Sequence, residues 1–203
     1  MDRTEFHRLY LDAARHKLRD KPVTTAAETH YDPRTECATF DYKFDRSTEL
    51  TGHMKLRLWV EAVGSDDMDV FVAIQKLNRD GVPVPFVSSA TYQDGPVALG
   101  WLRASHRELD VTRSRTEQPF HPHTREQCLS PGERVALEIE IWPASIRFLG
   151  REKLRLLIQG RALPKRGLPN APFARRQATR DAGLHVIHAG GMYDSHLLIP
   201  VIP

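Results

Sequence analysis

Residues 130–150 read SPGERVALEIEIWPASIRFLG, and their alternation decides the fold class. Val135, Leu137, Ile139 and Ile141 stand against Arg134, Ala136, Glu138 and Glu140. Successive side chains of an extended chain point to opposite faces, so this run has one apolar and one polar face, as a half-buried strand does. The strand is expected to stop at Trp142-Pro143, and nothing in it is a catalytic residue type placed for chemistry.

The same period recurs on both sides of this stretch. Ala38, Phe40, Tyr42 and Phe44 share a face, and so do Met54, Leu56, Leu58, Val60 and Ala62. MDVFVAIQKL (68–77) is apolar on both faces, as a central strand is. Leu154, Leu156 and Ile158 mark another strand, and LHVIHAG (184–190) and SHLLIPVIP (195–203) two more. Turn residues separate the runs at Leu50-Thr51-Gly52, Gly64-Ser65-Asp66, Asn78–Gly81, Asp94-Gly95-Pro96, Pro131-Gly132 and Gly190-Gly191. Many short strands with regular turns indicate an antiparallel sandwich or barrel, and no well-capped crossover helix supports a parallel α/β sheet. Two segments read either way. Phe6, Leu9, Tyr10, Ala13, Ala14 and Leu18 fall at helical spacing, and VALGWLRASHREL (97–109) is helical by propensity.

Composition narrows the class further. A chain of 203 residues is long enough to bury a core without disulfides or a structural metal. The net charge of +3, from 29 Lys+Arg against 26 Asp+Glu, is too small to argue for nucleic acid. Cys37 and Cys128 stand far apart, and the charged start MDRTEFHRLYLDAARHK has no apolar leader, so free thiols and a cytoplasmic location are expected. No apolar run approaches the ~18 residues of a membrane span.

Candidate chemistry is sparse. A serine-hydrolase elbow needs Gly-x-Ser-x-Gly, which the sequence lacks. Asp194-Ser195-His196 holds triad residue types, but neighbours in one strand point to opposite faces and cannot meet. His121-x-His123 and His185-x-x-His188 each offer two imidazoles where zinc needs three or four ligands. Asp66, Asp67 and Asp69 lack EF-hand spacing and read as a solvated turn rather than a calcium site. Arg161, Lys165, Arg166, Arg175, Arg176 and Arg180 form a basic loop with only Phe173 interleaved, which reads as solvated or partner-facing rather than a nucleic-acid groove. Trp59 falls on a polar face with Lys55, Arg57 and Glu61, and packing is favoured over a sugar platform there. No cofactor and no metal site is expected.

Taken in order, five blocks carry a resemblance: LTGHMKLRLWVEA (50–62), SDDMDVFVAIQKLNRDG (65–81), GWLRASHRELD (100–110), LSPGERVALEIEIWPASIRFLGREKLRLLIQG (129–160) and HVIHAGGMYDSHLLIPVIP (185–203). Together they resemble the C-terminal jelly-roll domain of the X-Pro dipeptidyl-peptidase and cocaine-esterase-like (CocE/NonD) hydrolases over nearly the whole chain. The resemblance implies an all-β jelly-roll β-sandwich, similar to galactose-binding domains. Residues 1–30 are then a short irregular or helical extension from an absent catalytic domain, and residues 31–203 the jelly roll. It also favours strand over helix at Trp101–Ala104. In that family the Ser-Asp-His triad lies in a separate α/β-hydrolase domain, so no catalytic residue carries over to this sequence.

The function expected is therefore non-catalytic: to pack on an α/β-hydrolase domain of ester or X-Pro type and help wall its active site. That domain would be part of the same polypeptide or a split partner. The alternative is a stand-alone β-sandwich module binding carbohydrate or another small ligand. Trp101, Arg103, His106, Trp142 and Arg147, with the N-terminal extension and loop 161–183, are the expected interdomain surface, because large aromatics and arginine are enriched in interfaces. Self-association is a further expectation, and neither nucleic acid nor membrane is an expected partner.

Overall fold

The computed structural model describes residues 4–88, 92–163, 179–180 and 182–203. The described residues are all-β, apart from one 3-10 turn at Ala104–His106. The strands are β1 (Glu5–Asp12), β2 (Lys17–Arg19), β3 (Ala27–Tyr31), β4 (Ala38–Lys43), β5 (Thr48–Val63), β6 (Asp69–Leu77) and β7 (Pro83–Val84). They continue as β8 (Phe86–Ser88), β9 (Tyr92–Gly95), β10 (Ala98–Arg103), β11 (Val135–Phe148), β12 (Lys153–Gln159), β13 (Leu184–Ala189) and β14 (His196–Ile202). Pairing runs β11-β10-β6-β12-β4-β2-β1-β14-β5, and β5 pairs with β11 again, so the main sheet closes on itself. Closure removes the free edges that make an open sheet sticky. β13 and β3 extend from the far half of β5.

The interior is set by the alternation read above. Met54, Leu56, Leu58 and Val60 on β5 face Leu137, Ile139 and Ile141 on β11, and all seven are fully buried. Residues 68–77 are central as expected: Val70, Val72 and Ile74 are buried, and β6 lies between β10 and β12.

Two expected breaks are not breaks. Both Leu50-Thr51-Gly52 and Trp142-Pro143 lie inside long strands, and they lie opposite each other. Ile141 pairs with Met54 and Ala144 with Gly52, so three steps on β11 face two on β5. The extra residue is a β-bulge, the place where proline, which has no N–H to give the ladder, is tolerated. It also switches which residues of β11 point inward. Before it the buried positions are Val135, Leu137, Ile139 and Ile141; after it they are Ile146 and Phe148. Gly52 sits at φ +136°, and a side chain there would press on Pro200 of β14.

The N-terminal segment is also corrected. Residues 5–12 form a strand rather than a helix, paired along β14 from Glu5↔Val201 to Tyr10↔His196. Leu9 and Leu11 point inward, while Ala14, which the helical spacing would bury, is exposed. Pairing with a neighbouring strand overrode local periodicity. Residues 5–31 thus belong to the same sheet as the rest. The 97–109 ambiguity resolves as strand through Arg103, with Ala104 already in the 3-10 turn.

Candidate docking cleft

A cleft of about 840 Å³ opens on the outside of the closed sheet. Its floor is β6 and β10. Gly100 meets Ile141 at the seam where β10 joins β11, and any side chain at this glycine would collide with the Glu140 carbonyl oxygen. That close approach brings Trp101 and Trp142 together on the outer face, with ring centroids 5.3 Å apart and planes at 68°. Edge-to-face contact is a favoured geometry for aromatic pairs. They remain 49% and 55% exposed, an unusual state for two touching indoles.

The second wall is polar. Arg103 and its cross-strand neighbour Asp69 form a two-pronged ion pair, with Nε to Oδ1 and Nη2 to Oδ2 both 2.9 Å. The hydrogen bonds to Asp69 hold the Arg103 pKa above its ordinary value. A long connection, residues 107–134, forms the rim. Asp67 anchors its start by accepting from Ser105 N (2.9 Å) and Ser105 Oγ (2.8 Å). Its return is tied by Gln127 N to Ser105 O and Leu129 N to Asp66 O, both 2.7 Å. Within it, Asp110 N donates to Phe120 O, and the Arg113 guanidinium lies 3.6 Å from the Phe120 ring centroid. His121 then sits between two carbonyls, Nδ1 at 3.0 Å from Glu108 O and Nε2 at 2.8 Å from Glu138 O. Beside it, His123 Nδ1 faces His106 Nδ1 at 3.3 Å. Burial, followed by the His106 and His121 charges, lowers the His123 pKa.

Four of the five residues expected at an interface, Trp101, Arg103, His106 and Trp142, therefore line one cleft. Arg147 does not. It lies beyond the bulge, where its Nε donates to Ser47 Oγ. Phe71, Phe120, His121, His123 and Glu140 also line it and were not singled out as docking residues by sequence. The Pro-Phe-His-Pro-His run at 119–123 was the available signal for the rim. In the basic loop, Arg161 donates to the carbonyls of Pro33, Thr35 and Glu36, and Arg180 pairs with Glu126 and Asp67. Lys165, Arg166, Arg175 and Arg176 lie outside the described residues.

The other candidate chemistries resolve into structural roles. Ser195 Oγ donates to His188 O and accepts from Trp59 N. Asp194 Oδ1 accepts from Trp59 Nε1 and Arg57 Nε, while His196 Nδ1 contacts the Asp194 carbonyl. The Ser195 and Asp194 side chains thus both turn to Trp59, and His196 to the Asp194 backbone, rather than forming a side-chain relay. Trp59 is half-buried against Tyr193, which supports packing over a sugar platform. Asp67 and Asp69 are filled by Ser105, Arg103 and Arg180 rather than solvated. His185 packs edge-on to Tyr31, and burial pushes its pKa down to about 4. His188 contacts Glu61 and Glu28. Among the described residues no group of three or more His, Cys, Asp or Glu side chains is placed to hold a metal.

The sequence match covers residues 2–198 and is to the X-Pro dipeptidyl-peptidase C-terminal non-catalytic domain. The chain belongs to that family. No curated protein matches it. Two crystal structures of a CocE/NonD family hydrolase from Staphylococcus aureus are similar to it, at 39% identity with TM-scores of 0.94 and 0.96. They align with 98% and 100% of this chain, which spans 37% of theirs. An aminopeptidase from a marine sediment Thaumarchaeota archaeon has the same fold at 16% identity (TM-score 0.68), matching 100% of this chain and 37% of its own. An α-amino acid ester hydrolase does so at 16% identity with a TM-score of 0.64, over 96% of this chain and 36% of its own.

Proposed function

We propose that this domain packs, through the Trp101–Trp142 cleft, on an α/β-hydrolase catalytic domain of ester or X-Pro dipeptidyl-peptidase type and helps wall its active site. The observation that carries this reading is the pair of touching, half-exposed indoles beside the Arg103–Asp69 ion pair. Aromatic and arginine anchors surrounded by polar groups are the usual centre of an interface. The family membership and the 37% coverage of the S. aureus hydrolase support a larger parent protein. Residues 1–30 lead in from the catalytic domain while contributing β1 to β3 to the sheet. The closed sheet is read as a flattened jelly roll of galactose-binding type, and the parent enzyme as cytoplasmic. Among the described residues no helix is long and apolar enough to cross a membrane.

Titrating this chain into the hydrolase portion of its parent, prepared separately, tests the reading by calorimetry. Trp101→Ala and Trp142→Ala should each weaken docking by about tenfold or more, as hot-spot aromatics do. Arg147→Ala should leave it unchanged. Equal affinity of the tryptophan variants and the parent chain would overturn the assignment. A second reading, a small-ligand site, is favoured by one observation: about 840 Å³ is within the size range of ligand pockets. Binding of a sugar panel to the isolated chain, lost in both tryptophan variants, would favour it.

A further inference from the structure

We propose that His106 and His123 form an acid-released latch that fastens the rim segment 119–123 over the cleft. The two Nδ1 atoms face each other at 3.3 Å. At that distance one ring donates its N–H and the other must offer a lone pair. With one proton added the cationic ring can still donate to the neutral one, but once both rings are protonated N–H is set against N–H, and the contact becomes a repulsion between two cations.

The surroundings do not compensate. Glu126 approaches His106 Nε2 at 3.8 Å, but it also takes the Arg180 guanidinium at 3.1 and 3.3 Å. Glu108 is engaged by both prongs of Arg125, and Asp69 by Arg103. His121, whose ring centroid is 5.9 Å from that of His123, adds a third imidazole and no anion. The backbone at His123 also sits at φ +53°, a left-handed conformation that histidine, like asparagine and aspartate, adopts more readily than other non-glycine residues. Such a conformation persists where the surrounding contacts hold it. Losing the contact across to the 3-10 turn then allows the rim to relax away from the indoles. The lowered His123 pKa accords with the same crowding.

The latch requires only this chain, so its test stands apart from that of docking. Side-chain and amide NMR between pH 7.5 and 5 would follow the His123 imidazole, the Trp101 and Trp142 indole N–H signals and the Gln127 amide bonded to Ser105. We expect both indole signals to shift with the His123 titration. Gln127 exchange, corrected for its intrinsic pH dependence, should rise about tenfold, while β5 amides stay protected. His123→Gln, which keeps a neutral donor and acceptor, should abolish the pH response. A pH response that survives in His123→Gln would overturn the latch. So would a rim that stays fixed while His123 titrates, or loss of β5 protection over the same range.

Discussion

Two trios of histidines separate the sheet from its rim. His185, His188 and His196 belong to β13 and β14 and are buried; His106, His121 and His123 belong to the cleft. In the first trio burial is the leading cause of lowered pKa values, and each ring contacts a group of the sheet region: Tyr31 Oη, Glu61, or the Asp194 carbonyl. In the second, two rings face each other and the third bridges two carbonyls. The same residue type is a fixed packing element in one place and a proton-responsive contact in the other. What differs is whether the ring answers to the sheet or to a loop laid over it.

The largest expected effect lies in the sheet. Ile139→Ala removes a side chain with no exposure, between β5 and β11, and should cost about 2–5 kcal/mol in urea unfolding. A cost under ~1 kcal/mol would mean that the interior is not packed as described.

Acid should come next, and it should act on the buried trio. The neutral form of His185 is favoured on folding, with a folded pKa of about 4 against an ordinary 6.5. The unfolded chain therefore binds the proton first. The His185 contribution is fully present above pH ~6.5 and is lost as pH falls toward 4, up to about 3 kcal/mol in all. Unfolding free energies across that window, compared with those of His185→Leu, isolate this part of the slope. A parallel slope in the variant would assign the acid sensitivity elsewhere.

Glu138→Ala sharpens the contrast between faces. The alternation suggests a solvated side chain whose loss is nearly neutral. Instead Glu138 is covered, with Lys55 Nζ at 2.7 Å and Arg57 as a second partner. Its removal leaves Lys55 without this carboxylate and Arg57 with Asp194 alone, and should cost about 1–3 kcal/mol. The smallest effect is expected at the cleft: Trp101→Ala should change the chain's own stability by less than ~1 kcal/mol while weakening docking. A larger loss of stability would make Trp101 part of the core.

This contrast also marks what the sequence discloses. The inward faces of β5, β6, β11 and β12 were legible because period-2 burial depends on the residues themselves. The failure of Asp194, Ser195 and His196 to meet was expected from a shared strand, but only His196 lies in β14. The strand at residues 5–12 was hidden because its partner, β14, lies almost two hundred residues away, and helical spacing arose there by coincidence. Gly52 and Pro143 were read as ends of strands because turns and bulges use the same residues. Trp101, Arg103, His106 and Trp142 could be named by composition, but their meeting depends on the β10–β11 seam at Gly100. The rim, an irregular segment without period, left only its histidines and prolines as a trace.

The bulge at Trp142-Pro143 gives β11 two reading frames. Odd positions face the interior before it and even positions after it, while β5 across the ladder keeps a single frame throughout. Deleting the one extra residue would merge the two frames into a regular ladder and leave Ile146 and Phe148 facing inward. Deleting two would turn both out to water and bring Arg147 inside. Length variation between relatives at this point should therefore be limited to loss of the single bulged residue, even though a tryptophan and a proline at the surface look like a place where insertions are tolerated.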